Sequence, residues 1–213
     1  MVPMPSSECS AGTDYASEPE YSADQQALLL GQARASIRHG LTIGESFDPD
    51  KSNIDPQLLA PGACFVTLTI GGQLRGCIGT LEPRESLLDA VAYYSYQAAF
   101  CDPRFSPLSR EEFDSICIEI SVLSPMESFE VSDEGELLQK LRPGIDGLWM
   151  ESGTHRATFL PQVWDKLPDP ARFVEQLKLK AGLTKDYWSD QIRWHRYHVF
   201  SMEEQQPPKA SFI

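Results

Sequence analysis

The chain is 213 residues long and 41% hydrophobic, enough to bury a sizeable core in one domain or in two tightly joined lobes. Its 31 Asp and Glu against 18 Lys and Arg leave a net charge of -13, which argues against nucleic acid or anionic lipid as partner, since phosphate neutralisation needs clustered cations. Five cysteines, odd in number and without paired short spacings, fit reduced thiols in a cytoplasmic protein better than a disulfide framework.

Residues 1–21 read as an acidic leader: Glu8, Asp14, Glu18 and Glu20 meet no Lys or Arg, and neither a basic nor an apolar region of a secretory signal is present. No run approaches the ~20 apolar residues that span a bilayer. Residues 22–204 form the expected single domain, and 205–213 a C-terminal tail.

Ser22-Ala23-Asp24-Gln25 has the form of a capping box, and Ala27, Leu28, Ala33 and Ile37 continue at helical spacing until Gly40 stops the run. Residues 48–62, with three prolines, read as an irregular connection. Residues 64–70 and 73–78 flank Gly71-Gly72 as a hairpin whose two-residue turn needs positive φ angles. A regular register sets Val66 opposite Cys77 and Leu68 opposite Arg75, so that Cys77 shares a side with Val66, Leu68 and Ile70. A helix starting at Pro83 and ending before Asp102-Pro103 follows, then a short helical turn at Glu111-Glu112-Phe113. Ile116, Ile118, Ile120 and Val122 alternate with Cys117, Glu119 and Ser121, predicting a strand that projects Glu119 from its less apolar face.

The second half predicts a helix over 134–141, strands at 148–150 and 155–159, and a junction at Leu160-Pro161-Gln162-Val163-Trp164. A helix over 171–181 closed by Gly182 follows, and one last strand over 194–201 carries Trp194, Arg196, His198 and Phe200 on one side. No βαβ repeat with Gly-rich phosphate loops is present, so the fold class is α+β, with a largely antiparallel sheet flanked by helices.

Leu74-Arg75-Gly76-Cys77-Ile78-Gly79-Thr80 carries the chemistry, because glycines flank a thiol and a guanidinium stands two residues before it. Cys77 is either a nucleophile, its pKa lowered by Arg75 or Arg104 with Glu119 or a histidine as proton partner, or a small apolar side chain in a crowded strand. Arg75 offers a fork to a carboxylate or phosphate, or else pairs with Asp102 or Glu119. Arg104 either joins it in a cationic pocket or serves a helix-end structure with Asp102 and Phe105. His155, beside Arg156, is the candidate acid or base, with a surface strand-end histidine as the alternative. His39, His155, His195 and His198 give no metal spacing. Trp149, Trp164, Trp188 and Trp194, and likewise Tyr93, Tyr94 and Tyr96, either floor a pocket or fill the core.

The Leu74–Thr80 motif after its Gly-Gly turn resembles the signature of the AMMECR domain family, a family with no settled biochemical activity. Asp102-Pro103-Arg104-Phe105, Ile118-Glu119-Ile120-Ser121, Asp146-Gly147-Leu148, Arg156-Ala157-Thr158-Phe159-Leu160-Pro161 and Lys180-Ala181-Gly182-Leu183 follow in that family's order, covering about 23–204. The wording is closest to bacterial members, of the AmmeMemoRadiSam system protein A type. Asp146 stands where eukaryotic and many archaeal members carry His, so no role of that histidine extends to this chain. The resemblance implies a larger and a smaller lobe around a cleft that holds the signature. In that cleft Cys77, Glu119 and His155 would be catalytic, and Arg75, Gly76, Gly79 and Arg104 would bind a small anionic or nucleotide-like ligand. It also implies a rival role, a non-catalytic adaptor for a Memo-type protein and a radical S-adenosylmethionine enzyme. No cofactor is indicated.

Overall fold

The computed structural model describes residues 21–204. Cys9, the tail and all of the leader except Tyr21 lie outside the described residues. Tyr21, read as the leader's last residue, is only 8% exposed and sets its ring edge-on to Phe200.

Helix α1 (Ala23–Ile43) starts on the expected capping box, with the Gln25 N–H donating to the Ser22 hydroxyl and the Ser22 N–H donating to the Gln25 side chain. It does not stop at Gly40. The rings of Tyr96 and Phe100 on α3 (Leu87–Phe100) lie against that glycine, where a Cβ would collide, and the helix ends at Gly44 with φ 80°. The connection over 48–62 contains a short helix, α2 (Pro56–Leu59), capped by Asp55. Pro83 lies ahead of α3, which Ser86 caps.

Strands β1 (Ala63–Ile70), β2 (Gln73–Gly79), β3 (Ile116–Leu123) and β8 (Val199–Glu203) form one antiparallel sheet in the order β2-β1-β3-β8. Gly71 and Gly72, at φ 58° and 78°, make the tight turn. The register differs from the regular one: Ile70 faces Gln73 and Thr69 faces Leu74, but Leu68 faces Gly76, so Arg75 is the extra residue of a β-bulge. That single insertion moves Cys77 opposite Thr67 rather than Val66, and Ile78 opposite Val66. A one-residue slip exchanges faces. Cys77 therefore shares a side with Thr67 and Glu119, while Val66, Leu68, Ile118, Ile120 and Met202 pack beneath α1 and α3 as the main core.

The smaller lobe is a second antiparallel sheet, β4-β7-β5-β6, made of β4 (Glu127–Ser128), β7 (Arg193–Tyr197), β5 (Gly147–Ser152) and β6 (His155–Phe159). Helices α5 (Glu134–Lys140) and α6 (Pro170–Lys180) belong to this lobe. Its own core holds Leu148, Met150, Trp164, Phe173, Leu177 and Trp194, with Trp164 stacked on Phe173. The last predicted strand is two strands in different sheets, because the chain changes lobes at His198. There the two crossings are clipped together: the Ser124 N–H donates to the His198 carbonyl, and the His198 N–H to the Ser124 hydroxyl, both at 2.9 Å. A small apolar cluster of Ala63, Phe65, Leu81, Leu123, Leu160, Tyr197 and Val199 joins the lobes. The fold is α+β, as read from the sequence.

Candidate functional site

Strand β2 is the edge of the larger sheet, yet its outer backbone groups at Cys77 are not open. The Cys77 N–H donates to Asp102 Oδ2 at 2.9 Å, and Arg104 Nη2 donates to the Cys77 carbonyl at 3.0 Å. Arg104 also holds Asp102 through Nε and Nη2, at 2.9 and 2.6 Å. A carboxylate–guanidinium pair thus stands where a neighbouring strand would, which blocks edge-to-edge pairing. Asp102 is 4% exposed, and the Arg104 guanidinium, followed by the N–H of Cys77, holds its carboxyl well below the usual carboxylate range.

Arg75 pairs with Glu112 on α4 (Arg110–Phe113), not with Asp102 or Glu119. Its Nε and Nη2 donate to the two carboxylate oxygens at 2.7 and 3.0 Å, and Nη2 also donates to the Ser106 carbonyl. The guanidinium pulls Glu112 down to about 2. Arg75 Nη1 is buried without a hydrogen-bond partner. Both guanidiniums lie over the Phe105 ring, 5.8 and 5.5 Å from its centroid. Two cations and two carboxylates around one ring make a neutral cluster rather than a cationic pocket. The glycines have packing partners as well: a Cβ at 76 would strike the Ala98 carbonyl oxygen on α3, and one at 79 the Cys64 carbonyl oxygen and Phe65.

Because both backbone groups of Cys77 point outward, Cys77 and Thr67 form a non-hydrogen-bonded pair, the kind that brings side chains closest. The Thr67 hydroxyl donates to the Cys77 sulfur at 3.3 Å. Thr67 is paired in turn with Glu119, and Glu119 with Glu203, so a polar row crosses all four strands. Cys77 and Glu119 stand two strand spacings apart, about 9–10 Å. Thr67 stands on the strand between them. Gln162, from the short 3-10 helix Pro161–Asp165, reaches over this face to Ser121 at 3.1 Å and to Glu119 at 3.5 Å. Of the other strand thiols, burial pushes Cys64 up to about 12, and burial with Glu203 pushes Cys117 to about 11.

His155 is not brought together with Cys77. It begins β6, on the side of α6, with Nδ1 2.9 Å from the Ala181 carbonyl. Alternation turns its neighbour Arg156 to the opposite face, the one that also carries Trp149 and Thr158. That face meets the larger lobe across a groove of about 420 Å3, lined by Phe65, Gly79, Thr80, Leu81, Glu82, Arg84, Tyr94, Trp149 and Arg156. Of the residues singled out as catalytic or ligand-binding, Gly79 alone lines it. Cys77 lies two residues along the same strand and on the same face. Trp149 and Tyr94 were legible in the sequence among the ambiguous aromatics, and Arg156 only as the neighbour of His155; Phe65 and Thr67 gave no signal, because their positions depend on the bulge at Arg75.

Asp146 is fully buried and accepts from the Arg142 N–H at 2.9 Å and from the Arg142 guanidinium, with His198 Nε2 3.3 Å away. Its carbonyl accepts from the Trp164 indole at 2.8 Å. This carboxylate ties the loop before β5 to the lobe crossing. No group of His, Cys, Asp and Glu that could hold a metal ion occurs among the described residues, and no described helix is long and apolar enough to cross a membrane.

A family model for AMMECR1 matches residues 30–202. A protein of Methanocaldococcus jannaschii is 40% identical over 192 residues, covering 84% of this chain and 94% of the relative. One from Aquifex aeolicus is 44% identical over 135 residues, covering 61% of this chain and 66% of the relative. The crystal structure of an uncharacterized Pyrococcus horikoshii protein superposes with a TM-score of 0.77 at 33% identity, over 84% of this chain and 91% of that one. Sequence and fold agree over the same span, and the chain belongs to the AMMECR1 family.

Proposed function

We propose that this protein binds a small anionic molecule in the groove between its lobes and acts on it from the adjoining polar face of the larger sheet. One observation carries the reading: the end of the signature, Gly79 and Thr80, meets Trp149 and Arg156 of the other lobe around a concavity of small-molecule size. Arg156 is the anion acceptor. Among the described residues it makes no ion pair, since the nearby Glu151 pairs with Arg193, and in a chain of net charge -13 a free guanidinium in a concavity focuses the field for anions. Arg75 and Arg104 act elsewhere, holding the hairpin edge and so fixing where Gly79 and Cys77 stand. The Cys77 thiol, with Thr67 as hydroxyl relay toward Glu119, is the group placed to react.

Among the described residues the large exposed apolar side chains are Ile43, Leu59, Leu74, Tyr93, Ile145 and Leu179, drawn from six different stretches of the chain, a weaker case for the adaptor role than a single continuous patch would make. A thermal-shift screen of the full chain against phosphorylated metabolites, carboxylates and nucleotides tests the proposal. A ligand raises the melting temperature of the native protein by mass action, and Arg156→Glu abolishes that rise without lowering the unliganded melting temperature by more than a few degrees. Silence across the whole panel would defeat the reading in favour of an adaptor for Memo-type and radical S-adenosylmethionine proteins.

A further inference from the structure

We infer that the molecule held between the lobes carries a planar aromatic ring as well as an anionic group, with its ring against Trp149 and its charge at Arg156. The inference rests on the anion-binding reading of the groove and adds the chemical class of what enters it.

Three aromatic side chains from three separate elements converge on this one groove: Phe65 from β1, Tyr94 from α3 and Trp149 from β5 of the other lobe. Core packing does not account for Trp149, whereas Tyr94 also packs against the larger core and Phe65 against the apolar cluster that joins the lobes. Trp149 points away from the smaller lobe's core, which its neighbours Leu148 and Met150 enter, and it remains partly exposed. Trp149 makes no ring-to-ring contact among the described residues, so its face is unclaimed, whereas Phe65 lies against Gly79, Trp164 is stacked on Phe173 and Trp188 on Trp194. A partly exposed tryptophan facing a groove of about 420 Å3, with Phe65 and Tyr94 also in its lining, offers a surface for a flat ring.

The polar groups of the slot are placed for the rest of such a molecule. Arg156 lies on the same face of the β5–β6 hairpin as Trp149, displaced from it by two residues of register, since Trp149 pairs with Thr158 and Glu151 with Arg156. Arg156 is thus the diagonal cross-strand neighbour of Trp149, about 7–8 Å away, the reach of a sugar between a base over the indole and a phosphate at the guanidinium. Arg84, on the opposite rim, is engaged by Glu82. Stacking would supply affinity without reading one base against another, because every base presents a π-face.

Isothermal titration of the full chain with AMP, UMP, ribose 5-phosphate and inorganic phosphate separates the contributions. The expected order is AMP and UMP tightest, ribose 5-phosphate weaker by about tenfold or more, the loss that removing a stacked base entails, and inorganic phosphate weaker still. Trp149→Leu brings the nucleotides down to the ribose 5-phosphate affinity and leaves ribose 5-phosphate unchanged, and Arg156→Gln weakens all four. Equal affinity of AMP and ribose 5-phosphate for the unmodified protein would overturn the ring while leaving the anion groove standing. So would binding of only non-aromatic anions in the metabolite screen. Absence of any binding to the unmodified protein, in both experiments, would remove both. These comparisons on the unmodified chain hold whether or not the Trp149 variant folds.

Discussion

The Asp102 carboxylate shows how one residue ties a motif to stability. It accepts the Cys77 N–H, the Arg104 N–H and the Arg104 side chain, and nearly all of it is withdrawn from water. Its folded pKa, like that of Glu112, is depressed. A group of that kind adds stability that is fully present above its unfolded pKa, about 3.9 for Asp and 4.3 for Glu, and is lost as pH falls toward the folded value, about 2 for Glu112. The protein should therefore lose stability steeply between about pH 4.5 and 2. Asp102→Asn should cost about 1–3 kcal/mol at pH 7, the usual penalty for stripping a buried charge-assisted hydrogen bond, and should flatten the acid limb. Urea midpoints of both proteins from pH 7 to 2.5 check this; parallel curves would mean that Asp102 titrates alike in the folded and unfolded chain. The sequence exposed part of this arrangement. Asp102-Pro103 after a helix marked a carboxylate for backbone N–H groups, but which N–H groups was invisible, since Cys77 is 25 residues away and pairing across an edge leaves no local pattern.

Elements were legible wherever periodicity and caps agreed, and misread wherever a single residue broke the period. Helix α1 was recognised by its capping box, and β3 by its alternating isoleucines. Gly40 looked like a stop because glycine is a poor helix former, yet it is a contact point for two rings. The hairpin was recognised by its Gly-Gly turn, but its register was not, because a bulge at an arginine has no signature in composition. The face of the signature thiol turned on that one residue. Likewise 194–201 read as one strand because alternation runs on through His198, where the chain in fact changes sheets. The glycines of the signature suggested room for a ligand, and their space is taken by the protein's own backbone. Gly76→Ala should therefore destabilise by about 1–3 kcal/mol, the range for overpacking a filled site, by pushing α3 from β2. Differential scanning calorimetry would register this as a melting temperature lower by several degrees. An unchanged melting temperature would show that the helix has slack over the strand.

At the scale of the whole molecule, two lobes with separate cores meet through a small apolar cluster and two clipped crossings, and the groove opens between them. Two lobes could be anticipated from length and from family resemblance, but not the groove's lining. That lining draws on β1, the end of β2 with the segment after it, α3 and the β5–β6 hairpin, regions spread from residue 65 to 156. Only tertiary structure brings them together. A division of labour follows from the same geometry: Arg75 and Arg104 stabilise the hairpin edge, and the proposed ligand would meet the residues beyond its end.

Backbone and indole chemical shifts of the isotopically labelled full chain, followed while AMP is added, test this account most directly. The prediction is saturable movement confined to Thr80, Leu81, Phe65, Arg156 and the Trp149 indole, with Ser106, Glu112 and Arg75 still. Shifts gathered instead around Arg75, Glu112 and Ser106, or no movement at any AMP concentration, would contradict it.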